Sequence, residues 1–287
     1  MTAHIIDGRV VARKLRAEYA LRVESLKKLG RAPGLAVILL GDNAASQVYV
    51  RNKVRACADI GIESRFIGLP AATTQADLLQ TVDDLNADRT VDGILIQLPL
   101  PAHIDIRAVL ERISVEKDVD GFHLYNVGGL VTGSTVFSPC TPYGVQKLLE
   151  HENIEVEGRN VVVVGASNIV GKPTALMLMS QDATVVICHK KTRDLAQFTM
   201  LADILVVAAG VPGLIVPQMI RTGAVVIDVG INRLPDGRII GDVDFEGCRQ
   251  KASYITPVPG GVGPMTVTML LHNTLVSAER TLAASGG

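Results

Sequence analysis

Hydrophobic and polar positions along this chain alternate between two periods. Residues 160–164, Asn-Val-Val-Val-Val, form an unbroken β-branched run. Such side chains fit a pleated surface and leave no polar face for water, so the run reads as a strand buried on both faces. Gly165 ends it, Ser167 and Gly171 follow, and residues 174–180 are rich in Ala, Leu and Met, so a short turn feeds a helix. The same order recurs downstream, with strands expected at 183–188, 204–208 and 224–229 and helices at 194–202 and 217–221. Strands alternating with helices predict a parallel, doubly wound α/β sheet with right-handed crossovers.

The first half repeats the theme. Helical spacing over 10–29 stops at Gly30 and Pro33, and a buried strand is expected at 35–40. A helix at 46–60 ends at Gly61, followed by a strand at 62–69, a helix at 74–86, a strand at 91–98 and a short helix at 106–113. Residues 126–138, rich in Gly, Thr and Ser, mark the expected domain boundary. Thr141 and Pro142 then open a helix at 143–151, as N-cap and first helical residue. Residues 254–265 are dense in Pro and Gly, which fixes a loop able to approach a ligand closely, and a final helix is expected at 266–282.

A length of 287 residues fits two domains and a sizeable core. The formal charge of −1 offers no electrostatic case for a nucleic-acid partner. With 48% hydrophobic residues, 3% aromatics and no Trp, the core is expected to be aliphatic. No apolar run approaches the roughly 20 residues that span a bilayer, and Asp7 interrupts the place of a signal peptide's apolar stretch. A cytoplasmic protein is therefore expected. Cys57, Cys140, Cys188 and Cys248 form no Cys-x-x-Cys pair and read as small buried thiols. The six His show no His-x-x-x-His spacing, so no metal site is expected.

Three places carry candidate chemistry. The strand, glycine turn and helix start at 160–173 would present backbone N–H groups and a positive dipole end to an anion such as a dinucleotide pyrophosphate. The spacing Gly-x-Ser-x-x-x-Gly meets the Gly-x-Gly-x-x-Gly fingerprint only loosely, and an ordinary βα turn would look the same. The repeated βα pattern favours the cofactor. An NAD site usually places an acid about 20 residues after the glycines. This chain has His189, Lys190, Lys191 and Arg193 there, which would attract a 2′-phosphate, so NADP is expected; a solvated basic loop is the alternative. On the 46–60 helix, Ser46, Tyr49 and Lys53 stand at i, i+3 and i+7 and share a face. Gln97 is the polar residue ending the apolar run of 91–98, and ligands bind beyond the carboxyl ends of strands in such sheets. Lys53 and Gln97 are thus expected to meet in one cleft. Asp118 and Asp120 would point the same way if extended; a solvated turn or helix cap is the plain alternative.

Together these residues resemble the bifunctional methylenetetrahydrofolate dehydrogenase/cyclohydrolase family. The resemblance rests on Ala45-Ser46-Gln47-Val48-Tyr49-Val50-x-x-Lys53, Gln97-Leu98-Pro99-Leu100-Pro101, Lys117-Asp118-Val119-Asp120-Gly121, Gly165-x-Ser167-x-x-Val170-Gly171-x-Pro173 and Pro257-Val258-Pro259-Gly260-Gly261-Val262-Gly263-Pro264-Met265-Thr266. These motifs stand in the family's order over nearly the whole chain. The resemblance implies an N-terminal folate-binding catalytic domain over 1–138, completed by the returning helix 266–282, and an NADP-binding Rossmann domain over 139–265. It implies a folate cleft between them, a homodimer, and a place in one-carbon metabolism and purine biosynthesis.

By matching position, the resemblance makes Lys53 the central catalytic residue, with Gln97 hydrogen-bonding beside it and Tyr49 stacking on the folate ring. Asp120 would bind the pterin's polar edge, and Ser46 with Gly260, Gly261, Val262 and Gly263 would line the cleft. Gly165, Ala166, Ser167, Gly171 and Ile231 would hold the cofactor, together with the basic residues His189, Lys190 and Lys191. Some relatives carry an Arg that contacts the cofactor's phosphate where this chain has Ala166; the 189–193 cluster is the available substitute. A shikimate-type dehydrogenase also uses a lysine in its N-terminal domain, but it does not account for Tyr49 and Lys53 together with the Pro-Gly-Gly-Val-Gly-Pro loop. A non-catalytic nucleotide sensor could share the fold.

Overall fold

A computed structural model describes residues 2–285. The chain runs through β1 (His4–Ile5), α1 (Gly8–Lys28), β2 (Gly34–Leu40), α2 (Ala44–Ile60), β3 (Glu63–Leu69), α3 (Gln75–Ala87), β4 (Gly93–Ile96), α4 (Ile106–Arg112) and a 3₁₀ turn (Val115–Lys117). It continues with α5 (Leu124–Thr132), α6 (Cys140–His151), β5 (Asn160–Val164), α7 (Gly171–Met179), β6 (Thr184–Cys188), α8 (Leu195–Thr199), β7 (Ile204–Val207) and a 3₁₀ turn (Pro217–Met219). Last come β8 (Val225–Asp228), β9 (Asn232–Arg233), β10 (Ile239–Ile240), α9 (Phe245–Arg249), β11 (Tyr254–Ile255) and α10 (Val262–Ser285). Two compact units result: Lys14–Cys140 with the chain from Val267 on, and Thr141–Thr266 with the chain up to Arg13.

The first unit holds a parallel three-stranded sheet in the order β3-β2-β4. Every residue of the central strand β2 is buried, as its run of aliphatic residues demands. Ala36, Ile38 and Leu40 cluster with Leu78, Val82 and Leu85 of α3 and with Val109 of α4. Each such Leu or Ile contributes roughly 1.5–3 kcal/mol on burial. Thr74 caps the start of α3, its hydroxyl accepting from the Asp77 N–H at 3.2 Å. The other end is closed by Lys117, whose Nζ donates to Leu85 O, Asn86 O and Asp88 O at 2.9, 2.8 and 2.7 Å. Burial lowers the pKa of that ammonium.

The second part of α10 belongs to this unit and packs on α1. Arg16 Nε donates to Thr268 Oγ1 at 2.9 Å, the Tyr19 and His272 rings lie 5.2 Å apart, and Arg22 pairs with Glu279 at 2.6 Å. The first turn of α10 lies in the other unit, where the Thr266 and Thr141 hydroxyls are 3.0 Å apart. Thr141 thus sits inside the first turn of α6 rather than capping it, because α6 already begins at Cys140.

The second unit is a six-stranded, all-parallel sheet in the order β1-β11-β8-β7-β5-β6. Successive crossovers run from β5 to β6 in one direction and from β5's other neighbour β7 to β8 in the opposite one. The order therefore reverses between β5 and β7, and open α/β sheets bind ligands beyond the carboxyl ends of strands at such a reversal. Val162, Val164, Leu205, Val207 and Val226 form its core with Ile215, Ile220 and Ile255.

Some expected elements differ. The 91–98 strand shortens to β4: the Gln97 backbone N–H makes the last ladder bond, to Ile38 O of β2, and Pro99 two residues on has no N–H to continue it. The segment 126–138, read as the domain boundary from its Gly, Thr and Ser, overlaps α5. Its glycines hide the helix, but Gly129 serves close packing: a Cβ there would lie 2.7 Å from Thr135 Cα. Residues 217–221 form only a 3₁₀ turn. Among the described residues, no helix is long and apolar enough to cross a membrane.

Candidate active site

In the first unit, α2 starts where Asn43 Oδ1 accepts the Ser46 N–H at 3.0 Å. That cap aligns Ser46, which is buried, Tyr49, which is 41% exposed, and Lys53, which is half-buried, along one helix face. Lys53 Nζ donates to Gln97 Oε1 at 3.1 Å. Gln97 is held from behind: its backbone N–H donates to Ile38 O at 2.9 Å and its side-chain N–H to Leu98 O at 2.8 Å. Its amide oxygen is thereby directed to the lysine.

Asp120 joins this pair. It is half-buried, and desolvation raises its carboxyl pKa, opposed by the Lys53 ammonium and by a hydrogen bond from the Cys140 thiol. Cys140, expected only as a buried thiol, thus touches a candidate site residue. Asp118 is different from Asp120 in kind. The segment is not extended, since a 3₁₀ turn precedes Asp118 and Gly121 takes φ +78°, so the expectation that the two carboxylates align does not hold. Asp118 is buried and accepts from His123 N at 2.8 Å, Phe122 N at 3.3 Å and Asn126 Nδ2 at 2.8 Å. Burial pushes its carboxyl up to about 6 against these donors. Asn126 Oδ1 in turn accepts from Val136 N and Phe137 N, each at 3.0 Å. Asp118 and Asn126 therefore organise the loop that carries Asp120.

In the second unit, Gly165 follows β5 with φ +131°, and a Cβ there would lie 2.2 Å from Ala208 O, just beyond β7. A Cβ on Gly171 would lie 2.0 Å from Gly165 O. Both glycines are required by close backbone approach at the strand-order reversal. Ser167 Oγ accepts from Val170 N at 3.1 Å and Gly171 N at 3.3 Å, tightening the turn into α7. Ala166 beside it is half-buried.

After β6, Thr192 Oγ1 accepts from His189 N at 2.9 Å and His189 Nδ1 accepts from Lys191 N at 3.1 Å. This small turn leaves Lys190 and Lys191 exposed. The tight glycine turn and the adjacent cations suit a dinucleotide that carries an extra phosphate. Gly260, Gly261, Val262 and Gly263 also belong to this unit, with Gly261 N donating to Pro257 O at 2.8 Å. Ile231 is exposed beside them: a Cβ on Gly263 would lie 3.9 Å from its Cδ1.

Sequence reasoning missed two buried carboxylates here. Asp228 accepts from Gly230 N at 2.9 Å and from Asp242 N and Val243 N at 3.0 Å each, and burial pushes its carboxyl up to about 6. Asp242 accepts from Ala209 N at 2.7 Å, Gly210 N at 2.8 Å and Asn232 Nδ2 at 2.8 Å. They tie down the loops that follow β7 and β8. A lone Asp at a strand end reads as a turn, so no signal marked them.

Two family models match the chain: tetrahydrofolate dehydrogenase/cyclohydrolase, catalytic domain, over residues 6–120, and tetrahydrofolate dehydrogenase/cyclohydrolase, NAD(P)-binding domain, over residues 139–282. The bifunctional protein FolD of Ralstonia pickettii is 58% identical over 286 residues, covering 100% of this chain and 98% of the relative. The crystal structure of the bifunctional enzyme FolD, a methylenetetrahydrofolate dehydrogenase/cyclohydrolase from Campylobacter jejuni, superposes with a TM-score of 0.95 at 51% identity, covering 97% of this chain and 99% of that one. The Trypanosoma brucei methylenetetrahydrofolate dehydrogenase-cyclohydrolase, solved with NADP cofactor and inhibitor, gives 0.94 at 42% identity, covering 98% and 99%. Shikimate 5-dehydrogenase of Thermus thermophilus gives only 0.51 at 15% identity, covering 86% and 99%, a likeness of fold alone.

Proposed function

We propose, from the premise that this chain belongs to the tetrahydrofolate dehydrogenase/cyclohydrolase family, that Lys53, Gln97 and Asp120 carry its two reactions. The enzyme is bifunctional. It oxidises 5,10-methylenetetrahydrofolate to 5,10-methenyltetrahydrofolate and hydrolyses that product to 10-formyltetrahydrofolate. The observation that carries the residue assignment is the Lys53–Gln97 hydrogen bond, with the Lys53 ammonium near enough to act electrostatically on the Asp120 carboxyl.

In the first reaction the protein's task is positioning. Asp120 accepts hydrogen bonds from the pterin's polar edge, and the exposed ring of Tyr49 stacks on the folate. Lys53 stands at the one-carbon unit, fixed by Gln97. NADP, when bound, supplies the hydride acceptor; Gly165, Ala166, Ser167 and Gly171 would hold its pyrophosphate side, Ile231 its neighbouring surface, and His189, Lys190 and Lys191 its 2′-phosphate. Ser46 completes the lining of the substrate site in the first unit, and Gly260, Gly261, Val262 and Gly263 form a glycine-rich loop of the second.

In the second reaction, water adds to the methenyl carbon and gives up a proton. The bond from that carbon to N5 then breaks as N5 gains a proton and the added hydroxyl loses its remaining one to become the formyl carbonyl, so one proton is released overall. The Lys53 ammonium gives a proton to N5 as that bond breaks and takes one back from the hydroxyl. Asp120 offsets the charge of an ammonium facing a cationic substrate, a repulsion of about 4 kcal/mol for unit charges 4 Å apart at a near-surface effective dielectric.

Exchanging both Lys190 and Lys191 for Asp is expected to weaken NADP binding at least tenfold, since each lost phosphate contact of this charged kind is worth about 1.5–3 kcal/mol before screening. NAD-dependent oxidation should fall far less. Unchanged NADP affinity in a binding titration would remove the cluster from the cofactor site.

The protein assembles as a homodimer in this reading, through the outer edge of β6. Among the described residues β6 pairs only with β5. Its sequence, Thr-Val-Val-Ile-Cys, carries no charge, and Val186 and Ile187 are exposed. Such an unguarded edge invites strand pairing, whereas the outer strand β3 of the other sheet carries Glu63 and Arg65. Ile187→Lys is expected to give a monomer by light scattering; a dimer that persists unchanged would move the interface elsewhere. The four cysteines are all free and buried thiols, in keeping with a reducing, cytoplasmic setting.

A further inference from the structure

The segment that presents Asp120 is sutured to one face of the last helix. On α10, Asn273, Ser277 and Arg280 stand at i, i+4 and i+7 and so form a stripe. Asn273 Nδ2 donates to Val119 O at 2.9 Å and to Ser138 O at 3.1 Å. Ser277 Oγ donates to Glu116 O at 2.8 Å, and Arg280 Nη1 to Val136 O at 3.2 Å. Four carbonyls from the two ends of the 116–138 segment are thus gathered by three side chains of one helix.

Asn273 is the centre of this stripe and is 3% exposed. One of its contacts is the carbonyl immediately before Asp120, and the other lies two residues before Cys140. Cys140 closes the same ring from the far side, its N–H donating to Asp120 O at 3.4 Å and its thiol to Val119 O at 3.2 Å. The peptide joining Val119 to Asp120 is therefore fixed by groups that Asn273 holds. We propose that Asn273 is a positioning residue for folate binding: it sets the orientation of the 119–120 peptide and so the direction of the Asp120 carboxylate. The inference rests on the reading of Asp120 as the pterin-binding residue.

The physical reason lies in the number of donors. A single amide group supplies both hydrogen bonds, so removing it leaves the two carbonyls without their common tie, and Val119 O with only the Cys140 thiol, a weak donor, to hold it. A misplacement of about 1 Å at a binding group is enough to cost up to 100-fold in a reaction's efficiency.

The test compares Asn273→Leu, similar in size but without donors, and Asn273→Ser, which keeps one donor, with Asp120→Asn and the Asp120/Asn273 double variant. KM for 5,10-methylenetetrahydrofolate, KM for NADP, kcat and thermal midpoint are measured for each. The folate KM is expected to rise about tenfold in Asn273→Leu and less in Asn273→Ser, with the NADP KM within about twofold of the parent. The double variant should add little to Asp120→Asn, because residues acting through one group are not additive. A merely structural role would lower the active fraction, scaling kcat and leaving both KM values in place; that result, or equal rises in both KM values, overturns the inference. If Asp120→Asn alone leaves the folate KM unchanged, the Asp120 reading itself falls. If Asp120→Asn raises it and neither Asn273 variant does, only the role of Asn273 falls.

Discussion

Lys53→Met is expected to lower cyclohydrolase turnover at least a hundredfold while folate binding is retained, since a positioned proton-transfer group typically contributes 10²–10⁴-fold. Methionine keeps the length and apolar stem of lysine, and the site is only half-buried, so the fold should tolerate it. What disappears is the nitrogen that Gln97 fixes at 3.1 Å. Asp120 would then lose the nearby cation that opposes its desolvation, and its carboxyl pKa should rise further. A competing role for Lys53 is a simple anchor for the substrate's glutamate carboxylate. The two roles separate in kinetics: an anchor loses KM with kcat kept, whereas a proton carrier loses kcat. Hydrolysis of methenyltetrahydrofolate followed by its own absorbance, beside a direct folate titration, distinguishes them.

Gly171→Ala should do the reverse, removing NADP-dependent oxidation and sparing hydrolysis. The new Cβ would lie 2.0 Å from Gly165 O, a contact that the backbone must relieve by opening the turn. Overpacking of this kind costs about 1–3 kcal/mol, and here it falls on the turn that would hold the pyrophosphate. NADP affinity is expected to drop at least tenfold, a conversion of about 1.4 kcal/mol. Cyclohydrolase activity assayed from methenyltetrahydrofolate should stay near the parental rate, because that reaction consumes no nicotinamide cofactor. Parental NADP affinity in a folded Gly171→Ala protein would show that the turn does not carry the cofactor.

The alternation of aliphatic runs with helical spacing made β2, β5, β7 and β8 readable, because strands buried on both faces leave long apolar signatures. The i, i+3, i+7 spacing of Ser46, Tyr49 and Lys53 likewise survives directly as a helix face. Other features had no local signal. β1 and β11 are two residues each and exist only through their pairing with each other and with β8. α5 is stabilised by a His123 cap and a left-handed Gly133, against a glycine content that reads as loop. The role of Lys117 in closing α3 depends on three carbonyls about 30 residues away in sequence, as the contacts of Asn273 depend on partners 154 and 135 positions away. Long-range polar contacts of this kind leave no periodicity, and residues such as Asp118 that serve them are easily taken for solvated turns.

The bifunctional character of the protein lies in its both oxidising and hydrolysing the same folate. It is tested most directly by mixing the protein with 5,10-methylenetetrahydrofolate and NADP⁺ and following reduced nicotinamide and the methenyl product together. Steady growth of the reduced-nicotinamide absorbance is expected, with little methenyl product accumulating, and in Lys53→Met any methenyl product formed should persist. Absence of nicotinamide reduction with either NADP⁺ or NAD⁺, or accumulation of methenyl product by the parent protein at the uncatalysed hydrolysis rate, would contradict it.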